Sequence, residues 1–263
     1  MCRHLAFLGP PEPLERILMA PAHSLYRQAW EPRRQRYGSV NADGFGVGWY
    51  APGDPVPARY RRSGPMWSDT SLTDLARVVR SGAVLAAVRD ATRADPDLEA
   101  AAAPYTGDRW LFSHNGAVPG WPDSMARLAG SLPPVELLSL EARCDSALVW
   151  ALLLNRLRAG LEDAKAVTET VLEVASAAPG ARLNLLVTDG TTITATAWGD
   201  TLWCLTGPGD RVVVASEPYD DDPRWQEVPD RTLLSATRTG VALTPLKDPR
   251  DDLAPAPSEE SRT

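Results

Sequence analysis

The chain has 263 residues, 44% hydrophobic and 23% charged, the composition of a globular protein with a substantial core and not of a disordered one. Acidic residues number 34 against 27 basic, and the net charge of −7 has the wrong sign for a general nucleic-acid binder. Only Lys165 and Lys247 among the basic residues are lysines, which excludes a phosphate-binding loop carrying its own Lys, and three Cys without CxxC spacing argue against a disulfide framework or structural zinc.

Residues 4–8 read as a short buried strand that begins almost at the first residue and breaks at Pro10–Pro13. A short helix over 14–19 follows, then a basic stretch with Arg33, Arg34 and Arg36. Phe45-Gly46-Val47-Gly48-Trp49-Tyr50 reads as a strand with close backbone approach at its glycines, and 58–62 pairs with it after the turn at 52–57. Apolar spacing at Leu72, Leu75, Val78 and Val79 predicts a helix over 70–80, capped by Thr70 or Ser71. Residues 83–88 form a central strand ending at Arg89, and 110–113 another, ending at His114-Asn115-Gly116. The clearest helix is 145–158, with apolar positions Ala147, Leu148, Trp150, Ala151, Leu154 and Leu157, and Gly160 stops it. A second helix covers about 162–178. Four strands follow at 183–188, 192–198, 201–206 and 211–216, with hairpin chemistry at Asp189-Gly190 and Gly199-Asp200. Residues 2–246 read as one layered α+β domain, and 247–263 as a disordered tail rich in Pro and acidic residues.

Cys2 has the first claim to chemistry. Its small side chain permits removal of Met1, which leaves the thiol beside a free α-amine of pKa about 8, a nucleophile with its own base. Taken alone, it is more readily a chance cysteine at a frayed end. Asn115 and Gly116 can supply an oxyanion hole from a side-chain amide and a backbone N–H, although Asn-Gly by itself is first a hairpin turn. Arg89 suits a substrate carboxylate or a surface ion pair equally. Asp145 suits a substrate ammonium, or caps the helix it opens. His114 reads as a supporting residue, and Cys144 and Cys204 as core thiols. Gly44-Phe45-Gly46-Val47-Gly48 is not the spacing of a dinucleotide fingerprint. The opening lacks a signal-peptide pattern and no 18-residue apolar stretch occurs, so the expected location is the cytoplasm, with no membrane partner.

Taken in order, Cys2, the run Asn41-Ala42-Asp43-Gly44-Phe45-Gly46-Val47-Gly48-Trp49, Arg89, His114-Asn115-Gly116, Asp145 and Ser216-Glu217-Pro218 resemble the class II glutamine amidotransferases, which are N-terminal-nucleophile hydrolases. The resemblance implies a four-layer αββα sandwich of two antiparallel sheets, and no cofactor or metal. It assigns Cys2 as nucleophile, Asn115 and Gly116 as oxyanion hole, Arg89 and Asp145 as holders of the glutamyl carboxylate and ammonium, and Thr92 and His114 to the substrate side. Cys2-Arg3-His4-Leu5 and Arg33-Arg34-Gln35-Arg36 look most like the γ-glutamyl hydrolases of ergothioneine biosynthesis, which implies a small-molecule γ-glutamyl substrate. Its leaving half carries a trimethylammonium group, for which Trp30, Tyr37, Trp67 and Trp121 are candidate faces and Arg33, Arg34 and Arg36 candidate carboxylate partners. One departure stands out: many family members follow the Arg with an aromatic, Thr and His-Gly, where this chain has Asp90-Ala91-Thr92-Arg93-Ala94. With no synthase domain in the sequence, hydrolysis is the simpler outcome. The alternatives are a glutaminase that hands ammonia to a separate synthase, a non-catalytic γ-glutamyl-binding relative, and a Cys–His hydrolase using His114.

Overall fold

The computed structural model describes residues 2–91 and 99–247. Thirteen strands occur among them: β1 (Arg3–Pro13), β2 (Phe45–Trp49), β3 (Ala58–Arg62), β4 (Arg80–Val88), β5 (Tyr105–Gly107), β6 (Trp110–Ala117), β7 (Arg182–Thr188), β8 (Thr192–Ala197), β9 (Trp203–Gly207), β10 (Arg211–Ala215), β11 (Gln226–Glu227), β12 (Thr232–Thr237) and β13 (Gly240–Pro245). The helices are α1 (Leu14–Leu18), α2 (Leu25–Gln28), α3 (Thr70–Val78), α4 (Ala126–Ala129), α5 (Pro134–Leu138), α6 (Asp145–Arg158) and α7 (Asp163–Ala177). None of them is long and apolar enough to cross a membrane.

The strands make two antiparallel sheets, one ordered β11-β9-β10-β1-β4-β2-β3 and the other β13-β12-β8-β7-β6-β5. Alternation along each strand builds the layers. Leu5 and Phe7 of β1 pack with Leu14, Ile17, Leu25 and Leu72 of α1, α2 and α3. Ala6 and Leu8 face the other way and meet Leu111, Leu186, Ala195 and Leu234 of the second sheet. Phe112, Leu183 and Leu185 on that sheet's far face pack under Leu148, Leu153, Val167 and Val171 of α6 and α7. The architecture is α+β, a four-layer αββα sandwich.

Several elements depart from the sequence expectation. β1 does not break at the prolines: its register with β4 shifts between Leu8 and Glu12, then resumes with Pro13 opposite Arg80. Pairing with β10 stops at Leu8, so Pro10 and Pro11 lie where the missing N–H costs no ladder bond on that side. β6 does not end before His114; it runs to Ala117, with Asn115 opposite Asn184 and Gly116 opposite Leu183. The cap of α3 is Asp69, whose carboxylate accepts from Ser71 N and Leu72 N, and not Thr70 or Ser71. β5, β12 and β13 carried no readable signal. The tail from 248 onward lies outside the described residues.

Candidate active site

A cavity of about 480 Å³ opens where the residue ahead of β1, the end of β4, the end of β6 and the start of α6 converge. Cys2, Arg89, His114, Gly116 and Asp145 all line it. Thr92 lies outside the described residues.

Cys2 is half-buried and immediately precedes β1. Burial pushes its thiol pKa up, against the pull of the N-terminal charge, the Asp90 backbone and the Arg89 guanidinium. A thiol held protonated needs a base to become a nucleophile.

Arg89 follows the last residue of β4 and is fixed through its backbone: Arg89 N donates to Gly44 O at 2.8 Å, and Asp43 N donates to Arg89 O at 2.9 Å. The Asp43 carboxylate accepts from Ala91 N at 2.8 Å. On the glycine-rich strand β2, the Ala103–Pro104 segment lies so close that a Cβ at Gly46 would collide with Ala103 O. The expectation of close backbone approach is met there.

Asp145 is the first residue of α6, and Cys144 takes the N-cap position with extended backbone. The cap reading of Asp145 therefore fails. Its Oδ2 accepts from Val118 N at 2.9 Å and its Oδ1 from Ser146 N at 2.7 Å, which holds the carboxylate at the cavity rim. Cys144 packs against the hydrophobic core, as expected, but is only partly buried. It lines the cavity, with Sγ 3.2 Å from the Tyr105 phenol oxygen. Its place just before a helix start is the signal that it leaves the helix's apolar stripe. Cys204 is buried, as expected.

His114 faces α6. One ring nitrogen, Nε2, lies 2.9 Å from Arg182 O and the other, Nδ1, lies 2.9 Å from Ser146 Oγ. A carbonyl only accepts, so a neutral ring carries its hydrogen on Nε2 and accepts from Ser146 at Nδ1. With both nitrogens engaged, His114 is not disposed as the base of a Cys–His pair.

Gly116 admits no side chain: a Cβ there would collide with Arg182 O and stand 2.6 Å from His114 Nε2. Its neighbour Asn115 points to the opposite face of β6, between the sheets, and is completely buried. Both its amide nitrogen and its oxygen lack a hydrogen-bond partner among the described residues. An orphaned buried amide is costly, and a ligand oxygen would satisfy it.

Of the four aromatic candidates only Trp121 lines the cavity. Trp30 and Trp67 sit edge to face, 5.8 Å apart, and Tyr37 lies under the Arg182 guanidinium at 4.3 Å. The basic run is elsewhere as well: Arg33 pairs with Asp221 at 3.4 Å and Arg34 stacks over Trp203 at 5.0 Å. Sequence reasoning missed three further lining residues: Tyr105, brought there by tertiary packing, and Arg143 and Ser146, which flank Cys144 and Asp145 in the chain. Among the described residues no group of three or more His, Cys, Asp or Glu is placed to hold a metal.

Residues 20–209 match the family described as glutamine amidotransferases class-II. The chain is 43% identical over 246 residues to the γ-glutamyl-hercynylcysteine sulfoxide hydrolase of Mycolicibacterium smegmatis, covering 94% of this chain and 100% of that one. It is 42% identical over 253 residues to the protein of the same name from Mycobacterium tuberculosis, covering 95% and 100%. Among solved structures, a glutamine aminotransferase class-II domain protein from Silicibacter pomeroyi superposes with a TM-score of 0.66 at 25% identity, over 94% of this chain and 100% of that one. The PRPP amidotransferase of B. subtilis shares the fold, with a TM-score of 0.61 at 17% identity, over 94% of this chain and 49% of its own. The chain belongs to the class II glutamine amidotransferase family.

Proposed function

We propose that this chain is an amidohydrolase that removes the γ-glutamyl group from γ-glutamyl-hercynylcysteine sulfoxide, releasing glutamate. The observation that carries the reading is the meeting of Cys2, a guanidinium (Arg89) and a carboxylate (Asp145) in one cavity. A free α-amino acid head group needs one group of each charge. The full-length identity to hydrolases of that name supports the choice of leaving group. Residues 2–246 act as one catalytic domain in this reading, in the cytoplasm, where the three cysteines remain free thiols.

Removal of Met1 frees the Cys2 amine. The amine takes the thiol proton and the sulfur attacks the γ-carbonyl, forming a C–S bond. The oxyanion is received by the Asn115 amide and the Gly116 N–H, each such donor being worth roughly 3–4 kcal/mol in related chemistry. As the intermediate collapses the C–N bond breaks, and the α-ammonium gives its proton to the leaving amine. Water, deprotonated by the amine, then cleaves the γ-glutamyl thioester to glutamate and regenerates the thiol. Arg89 holds the α-carboxylate and Asp145 the α-ammonium throughout.

Glutamate release from γ-glutamyl-hercynylcysteine sulfoxide and from free glutamine, compared at equal concentration, tests the proposal. Faster release from the first is expected. Preference for glutamine would instead make the chain a glutaminase that supplies ammonia.

A further inference from the structure

Cys2 stands one residue before β1, at a place where chains ordinarily fray. Once Met1 is gone, its amine has to stay free to move protons. The backbone of the nucleophile can then be held only through its carbonyl. That oxygen accepts a hydrogen bond of 3.0 Å from Arg3 Nε. The Arg3 side chain is completely buried, and its guanidinium lies 3.8 Å from the equally buried carboxylate of Glu217. Glu217 in turn accepts from Arg33 N at 2.9 Å and Arg34 N at 2.8 Å. The preceding residue joins in: His4 N donates to Ser216 Oγ at 3.1 Å, and Ser216 N donates to His4 O at 3.0 Å. The 216–217 segment thus grips the chain at two successive residues behind the nucleophile.

For stability alone this is a poor arrangement. Both terminal nitrogens of Arg3 lack a hydrogen-bond partner among the described residues. A buried ion pair of this kind is often matched or bettered by apolar residues of similar volume. Among the described residues, the one hydrogen bond that the guanidinium makes goes to the residue that has to be held.

We propose that Arg3, buttressed by Glu217, is a positioning residue for the hydrolysis: it fixes the Cys2 backbone so that thiol and amine meet the γ-carbonyl together. The inference rests on the hydrolase reading above.

The test compares Arg3→Gln, Arg3→Lys and the double variant Arg3→Gln/Glu217→Gln with the full-length wild type, the N-terminus of each being verified by mass spectrometry. The double variant removes both buried charges at once, so it folds where a single change leaves one charge uncompensated. Per mole of folded protein, kcat is expected to fall about ten- to a hundredfold in Arg3→Gln and in the double variant, with KM within about twofold, because a misplacement near 1 Å costs rate and not binding. Arg3→Lys, which keeps the charge and a donor, is expected between these and the wild type. In protein labelled with ¹³C at the cysteine Cβ, the Cys2 resonance should be single in the wild type and broadened or doubled in the double variant. Wild-type kcat in a folded double variant, or a Cys2 resonance unchanged from the wild type, would overturn the proposal. A wild type that releases no glutamate sinks the hydrolase reading instead, and the resonance alone then decides the role of Arg3.

Discussion

Cys2, Asn115 and Trp121 each make a separable claim. Cys2→Ala removes the sulfur that forms the thioester, so turnover should vanish while the γ-glutamyl compound still binds; isothermal titration with the intact substrate reads the second half directly. Asn115→Ala deletes an amide whose two polar atoms are buried and unpartnered among the described residues. Turnover should drop about 100- to 1000-fold, as for the loss of one oxyanion donor. The melting temperature should stay within a few degrees, since the change removes an unsatisfied group as well as a packed one. At Trp121 the issue is the leaving group. A trimethylammonium against its ring contributes about 0.5–2 kcal/mol, so Trp121→Ala should raise KM for the sulfoxide substrate by roughly 2- to 30-fold and leave glutamine hydrolysis unaffected. An equal effect on both substrates would remove Trp121 from the leaving-group side.

Strand β6 and the start of α6 convert local sequence into a site. His114-Asn115-Gly116 looked like a hairpin because Asn-Gly favours tight turns in isolation. In the structure the same residues continue β6 in register with β7, beyond the stretch 110–112 that pairs with β5. The glycine is needed there because Arg182 O and the His114 ring leave no room for a Cβ. Gly116→Ala should therefore force β6 and β7 apart and destabilise the protein by about 1–3 kcal/mol, read as a lower denaturant midpoint. Helix α6 was legible to its last residue, because eight of its side chains are buried at helical spacing. β12 was not, because Thr-Leu-Leu-Ser-Ala-Thr shows neither strict alternation nor β-branched richness, and its pairing with β8 and β13 is decided by neighbours distant in the chain.

On the scale of the whole molecule, the space between the two sheets holds a histidine as well as apolar side chains. His4 is completely buried, its Nδ1 lying 3.1 Å from Ser113 Oγ across the layers. Burial, helped by the charges of Arg3 and His114, pushes its pKa down to about 3. The unfolded chain protonates this ring near pH 6.5 and the folded protein does not. Its contribution is therefore complete above pH 6.5 and is lost as the pH falls from there toward 3, at up to about 1.4 kcal/mol per pH unit. His4→Gln should flatten the fall of the melting temperature between pH 6 and pH 4, and an unchanged slope would show that the carboxylates account for acid unfolding.

By itself the sequence determined the parts that depend on near neighbours. Apolar periodicity set α6 and α7, the turn dipeptides bounded β7 to β10, and the ordered set from Cys2 to Ser216-Glu217-Pro218 pointed to the family. Tertiary structure decided what depends on residues far apart. It carried β1 through its prolines by pairing it with β4, turned Cys144 and Trp121 toward the cavity, and kept Trp30, Tyr37, Trp67 and Arg33 away from it. It also bound Arg3 to Glu217 across more than two hundred residues of chain. Local propensity speaks for a few residues on either side, whereas a buried polar contact depends on what the opposite layer places against it, and only the packed sheets define that.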